Sequence, residues 1–119
     1  MPIKVLVVED EVLLRMNIVG VLEQRGFAVL EAENATRAIE ILVQHPDVQV
    51  MFTDIDMPGG VDGLKLAAMV RDRWPPIKIV YTSGYRKQAD LQLPVESQFF
   101  AKPYNPDRVA ATLFALATP

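Results

Sequence analysis

Four places in the chain carry residues that could do chemistry together: Glu9-Asp10, Thr53-Asp54, Thr82-Ser83 and Lys102-Pro103. Each closes or directly follows a short apolar run, so each stands where a strand would end. If those ends meet, three carboxylates lie side by side with a hydroxyl and a lysine. Three acids that close repel strongly without a cation, so the set asks for a hard divalent metal. Mg²⁺ suits it, because it takes oxygen ligands in an octahedron and keeps several waters, so that two or three carboxylates suffice. A carboxylate nucleophile, a bridging cation and donors for the equatorial charge are what phosphoryl transfer requires.

The segments that must position these groups alternate in period. Ile3–Val8, Ala28–Leu30, Val48–Thr53, Ile77–Thr82 and Phe99–Ala101 are short apolar runs rich in β-branched residues, and they predict strands. A first helix is predicted from about Val12 to Arg25, with Leu14, Ile18, Val21 and Leu22 on one face and Gly26 as its stop. Ala35, Ala38, Ile39 and Leu42 share the next face, with Asn34 as cap and Pro46 helping to end the helix. A third begins near Asp62 and carries Leu64, Ala67, Ala68 and the stem of Arg71 before Trp74-Pro75-Pro76 breaks it. The last opens on Asn105-Pro106-Asp107 and is expected to bury Val109, Leu113 and Leu116. Tyr85–Gln98 contains Pro94 and only a weak helical period, so a short, irregular or missing fourth helix is expected there.

Parallel strands need a crossover segment between them, so this alternation predicts an α/β fold: a doubly wound parallel sheet with helices on both faces. Near-continuous apolar strands agree with burial on both sides. Ligands of such sheets bind outside the carboxyl ends of the strands, where the strand order reverses. The polar groups named above fall at those ends.

Composition narrows the classes. The 119 residues fit one domain, and a net charge of −3 gives no basic balance for nucleic acid. The absence of cysteine removes disulfides, thiolate metal sites and Cys nucleophiles. The apolar run at Ile3–Val8 is interrupted by Lys4 and followed by Glu9-Asp10-Glu11, which suits neither a signal peptide nor a membrane helix. A cytoplasmic location with no membrane contact is the expectation.

The residues resemble the receiver domains of two-component response regulators over essentially the whole chain. The likeness rests on Val7-Val8-Glu9-Asp10-Glu11, on Phe52 through Gly63 (Phe52-Thr53-Asp54-Ile55-Asp56-Met57-Pro58-Gly59-Gly60-Val61-Asp62-Gly63), on Tyr81-Thr82-Ser83-Gly84 and on Lys102-Pro103-Tyr104. Four motifs in the right order and spacing make a strong signal where any one would be weak. The resemblance implies a flavodoxin-like five-stranded sheet of order 2-1-3-4-5, with residues 1–119 forming one receiver domain and no output domain. It implies that Asp54 accepts a phosphoryl group from a histidine kinase or phosphotransfer protein, with Mg²⁺ held by Glu9, Asp10, Asp54 and the backbone carbonyl of Asp56. Glu9 stands where most receivers have Asp, and its extra methylene is long enough to bind through a water.

By the same resemblance Thr82 meets a phosphoryl oxygen, Lys102 pairs with another, and a cis bond joins Lys102 to Pro103. Phe99 takes the place of the switch aromatic, turning inward when Thr82 moves toward the phosphate. Asp56 and Gly84 sit where family members tune dephosphorylation. The implied roles are phosphoacceptance without enzymatic turnover, and switching of a surface that docks a downstream protein. The chain would work as a stand-alone receiver or as a segment of a larger regulator or hybrid kinase; family members often dimerise, which makes a homodimer one expected assembly.

Two other readings compete. Asp54-Ile55-Asp56 after an apolar strand imitates the Asp-x-Asp of haloacid-dehalogenase-like phosphatases. Those enzymes, however, carry it on their first strand with an acidic pair after the lysine, whereas here the acids precede Asp54. A docking module indifferent to phosphorylation is the other, and the complete set of chemical groups disfavours it. Several residues have plainer duties: Asp62 as a helix cap, Gly59-Gly60 and Gly63 as turn backbone, His45 as a helix-end dipole partner, Phe100 as core and the methionines as core filler.

Overall fold

Each apolar run becomes a strand: β1 (Lys4–Val8), β2 (Ala28–Ala32), β3 (Val50–Asp54), β4 (Lys78–Ser83) and β5 (Gln98–Ala101). The computed structural model describes residues 2–57, 61–85, 91–94 and 97–118. All neighbouring strands pair in parallel, in the order β2-β1-β3-β4-β5. The order reverses between β1 and β3, so the cleft above their carboxyl ends is the switch point of a doubly wound sheet.

Side chains alternate across the sheet, and the two faces build two cores. Leu6, Val8 and Met51 pack on α2 (Ala35–Gln44) and α3 (Gly63–Arg73) through Ala38, Leu42, Leu66 and Val70. On the other face Val5, Val7, Phe52 and Val80 pack on α1 (Val12–Gln24) and α4 (Pro106–Ala117) through Ile18, Leu22, Val109 and Leu113. A third, smaller cluster joins Ile55, Ala67 and Tyr81 to the partly buried Leu91, Leu93 and Phe99. All five residues of β3 are buried, so burial at roughly 1.5–3 kcal/mol per large aliphatic side chain holds this central strand most firmly.

The caps form as the residue types require. Asn34 accepts from Arg37 N at 2.8 Å, Asp62 from Lys65 N at 2.9 Å, and Asn105 from Asp107 N at 2.9 Å. Gly26, with φ of 91°, ends α1 in a backbone region that L side chains rarely adopt.

Several buried faces are rotated from the sequence expectation. In α1 Val19 is buried while Leu14 and Val21 are half-buried, and in α2 Ile41 is buried while Ile39 is half-buried. In α3 Leu66 and Val70 join Ala67 in the core, Leu64 is half-buried and Ala68 is exposed. In α4 Ala110 is buried and Leu116 only half-buried. Met51 and Met57 are core, but Met16 and Met69 are exposed. Among the described residues no helix lies between β4 and β5. Much of the segment expected to hold an irregular helix, residues 86–90 and 95–96, lies outside the described residues, as does Pro58-Gly59-Gly60.

Candidate functional site

β3 delivers Asp54 to the switch point, where its side chain is 2% exposed. Its neighbour across the sheet is Thr82, and Ile55 N donates to Thr82 O at 2.9 Å, fixing the two strand ends against each other. β1 delivers Glu9 and Asp10. Glu9 is also buried, and carboxylate oxygens of Glu9, Asp10 and Asp54 lie within 4.8 Å of one another. β5 leads into Lys102, whose N donates to Ser83 O at 3.0 Å and whose bond to Pro103 is cis.

Lys102 reaches back over the acids. Its Nζ lies 2.7 Å from Glu9 Oε1, 3.1 Å from Asp54 Oδ2 and 3.6 Å from Glu11 Oε2. Asp54 Oδ1 accepts from Asp56 N at 3.1 Å. The Asp56 carboxylate turns aside and accepts from Ser83 Oγ, which in turn accepts from Tyr85 N at 3.2 Å. Asp10, Asp54, Asp56, Tyr85 and Lys102 help to line a pocket of about 260 Å³. A pocket of similar size beside Arg71, Ile77 and Gln98 contains none of the acids.

Among the described residues, Glu9 Oε2 and Thr82 Oγ1 have no hydrogen-bond partner, although buried polar atoms nearly always find one. An unpaired carboxylate oxygen beside two more carboxylates fits a hard cation. An unpaired hydroxyl one strand away fits an oxygen-rich ligand.

Electrostatics agree with that reading. The Glu9 carboxyl is pushed up to about 8, chiefly by burial; Lys102 pulls it down and the Asp54 charge adds to the rise. Burial alone would lower Lys102, but Glu9 and Asp54 hold it above its ordinary value. Tyr104, whose ring meets Phe52 edge-on at 5.3 Å, is also raised, by burial and then by Glu9.

A pH dependence follows. Between Glu9's ordinary value of 4.5 and its folded value of about 8, the folded chain holds a proton that the unfolded chain has released. Its contribution to stability is therefore fully present below about 4.5 and lost as pH rises through about 8. In chelator, the urea midpoint is expected to fall from about pH 5 to above about pH 8, and Glu9→Gln to remove most of that slope. Saturating Mg²⁺ is expected to flatten it, because a cation favours ionised Glu9, and to raise the midpoint itself. A wild-type midpoint indifferent to pH and to Mg²⁺ would contradict this electrostatic picture.

The sequence-predicted residues are thus placed unevenly. Glu9, Asp10, Asp54 and Lys102 meet at one point, and Thr82 and Asp56 adjoin it. Phe99 packs in the cluster around Tyr81, the neighbour of Thr82 on β4. Phe100 packs on the opposite face of the sheet. His45 is the residue at which α2 ends.

Gly63 is more than turn backbone. Its N donates to Ile55 O at 3.0 Å, and a Cβ there would lie 2.1 Å from Asp54 O. A glycine after a helix cap gives no local sign of that approach. Arg15 is a second residue that sequence reasoning misses: its Nη1 donates to Glu9 O at 2.7 Å and its Nε to Glu31 Oε1 at 3.0 Å.

Comparison with known proteins gives the family and the fold. The sequence model of the response regulator receiver domain matches residues 5–114. Sensor kinase CckA of Brucella abortus is 35% identical over 113 residues, which are 92% of this chain and 12% of that kinase. Several other curated relatives are also much longer than this chain; a putative NtrX-like response regulator of Rickettsia bellii is matched over 24% of its length. Response regulator receiver protein CpdR of the same Brucella strain is 30% identical over 105 residues, 86% of each chain. The crystal structure of a response regulator receiver protein from Sinorhizobium medicae superposes with a TM-score of 0.87 at 26% identity, covering 98% of this chain and 94% of that one. Nothing in these comparisons supports the dehalogenase-like alternative. Among the described residues no helix is long and apolar enough to cross a membrane. With its acids, lysine and hydroxyl gathered at the switch point of a 2-1-3-4-5 sheet, the chain belongs to the receiver domain family of two-component response regulators.

Proposed function

We propose that Asp54 is the phosphoacceptor of this receiver, taking its phosphoryl group from a phosphohistidine of a histidine kinase or phosphotransfer protein. One observation carries the reading: a buried carboxylate at the end of the central strand has Lys102 Nζ at 3.1 Å and two further acids beside it. An Asp54 carboxylate oxygen attacks phosphorus, the histidine N–P bond breaks, and the imidazole leaves with the electron pair and takes up a proton. Lys102 offsets charge on a phosphoryl oxygen, and the Thr82 hydroxyl donates to another. Glu9, Asp10, Asp54 and the carbonyl of Asp56 would hold Mg²⁺, which supplies charge neutralisation to the phosphoryl oxygens. The chemistry is stoichiometric, one phosphoryl group per chain, without turnover of a substrate.

Phosphorylation would draw Thr82 toward the phosphate and open space into which the Phe99 ring turns, altering the surface offered to a downstream protein. The donor protein has a ready landing place. Val12, Leu13 and Met16 at the start of α1, next to the acids, are 55%, 82% and 61% exposed. A cytoplasmic setting without direct contact to nucleic acid or membrane, action as a single receiver unit over residues 1–119, either alone or within a larger regulator or hybrid kinase, and a homodimer complete the proposal.

Acetyl phosphate tests it. With Mg²⁺ the chain is expected to gain one phosphoryl group, and with chelator none. Continuous hydrolysis of a generic phosphate ester would instead favour a phosphatase.

A further inference from the structure

We infer that Arg15 is a positioning residue for the metal site, setting the peptide plane that joins Glu9 to Asp10; this rests on reading that cluster as an Mg²⁺ site. The guanidinium bridges two elements. Its Nε donates to Glu31 Oε1 on β2 at 3.0 Å, and its Nη1 donates to the backbone oxygen of Glu9 at 2.7 Å. The Arg15 side chain is only 16% exposed, so it is held on its helix rather than waving in solvent.

The consequence follows from covalent geometry. A peptide unit is planar, so the Glu9 carbonyl and the Asp10 amide turn together. Glu9 N is already held by Ala32 O at 3.0 Å. With Arg15 gripping the carbonyl, the chain on both sides of Glu9 is pinned to β2, and the direction in which Asp10 leaves is set. Two of the three acids whose oxygens lie within 4.8 Å of each other are therefore aimed by one side chain that is not itself a ligand. The planar fork is what permits both contacts at once; an ammonium offers one point charge.

A bland surface ion pair makes a different prediction, and the sign separates the two. As a nearby positive charge alone, Arg15 would repel Mg²⁺, so its removal would tighten metal binding. As a positioning residue, its removal loosens the acids. Loss of such a supporting contact weakens metal affinity by roughly 10–100-fold.

Calorimetric titration of Mg²⁺ into metal-free protein decides it without reference to phosphorylation. Arg15→Met is expected to bind Mg²⁺ about tenfold more weakly than wild type. Should that variant fail to fold, Arg15→Lys carries the test, since it keeps the charge and loses the fork; it too is expected to bind severalfold more weakly. Either folded variant binding Mg²⁺ as tightly as wild type, or more tightly, overturns the inference. Wild-type protein without saturable Mg²⁺ binding would overturn the metal reading itself and this inference with it. Wild-type binding beside unchanged variants overturns this inference alone.

Discussion

Asp54→Asn is expected to abolish phosphoryl acceptance while making the metal-free protein more stable at alkaline pH. The first effect is chemical: an amide in place of the carboxylate has no oxygen nucleophile able to form an acyl phosphate. The second is electrostatic. Asp54 is one of the charges that drive Glu9 up to about 8, and Lys102 serves both acids at once. With Asp54 neutral, Lys102 has Glu9 as its close partner at 2.7 Å. Removing the Asp54 charge therefore lowers Glu9 back toward its ordinary range. In chelator above about pH 8, the urea midpoint of Asp54→Asn should exceed that of wild type. Mg²⁺ should then raise the midpoint of the variant less than that of wild type, since the cation has lost a ligand. A variant less stable than wild type under those conditions, or one still labelled by acetyl phosphate, would contradict the site as described.

Gly63→Ala is expected to damage fold and chemistry together. The added Cβ would meet Asp54 O at 2.1 Å, Ile55 Cα at 2.7 Å and Asp54 C at 2.8 Å, all backbone atoms of the segment carrying the phosphoacceptor. A flexible side chain could swing away; a peptide at the end of a buried strand cannot move without breaking its pairing. Overpacking of this kind costs about 3 kcal/mol, and relief requires shifting the Asp54–Ile55 backbone from its place beside Lys102 and the other acids. Reduced phosphoryl acceptance should therefore accompany the lower urea midpoint. Gly20→Ala is the control. A Cβ at Gly20, within α1, would meet no neighbouring atom within 4 Å, so the exchange should gain up to about 1 kcal/mol from helix propensity. Equal midpoints for the two variants would refute the close approach at Gly63.

These contrasts show which features the sequence could carry. Strand positions were legible because β-branched runs end in polar residues, and the same endings located Glu9, Asp10, Asp54, Thr82 and Lys102. Helix faces were less so, above all in α1, whose apolar residues are spread around the helix without one distinct face. Leu13, Leu14 and Met16 look alike in sequence, yet Leu14 is half-buried and the other two are exposed. By residue type alone Thr82 and Ser83 are alike, and only the family resemblance singles out Thr82. Alternation along β4 separates them, leaving Thr82 Oγ1 without a hydrogen-bond partner among the described residues and giving Ser83 to Asp56. Gly63 and Arg15 act through backbone atoms of Ile55, Asp54 and Glu9 outside their own helices, and no pattern of residue types reports such contacts.

Phosphate is expected on Asp54, and borohydride reduction tests this at the residue itself. An aspartyl phosphate is reduced to homoserine, while a free carboxylate is untouched. Protein phosphorylated with acetyl phosphate and Mg²⁺, reduced and then sequenced by mass spectrometry, is expected to carry homoserine at position 54 and to show none when chelator replaces Mg²⁺. Homoserine at another acid, or none anywhere in protein that has gained a phosphoryl group, would contradict Asp54 as the acceptor.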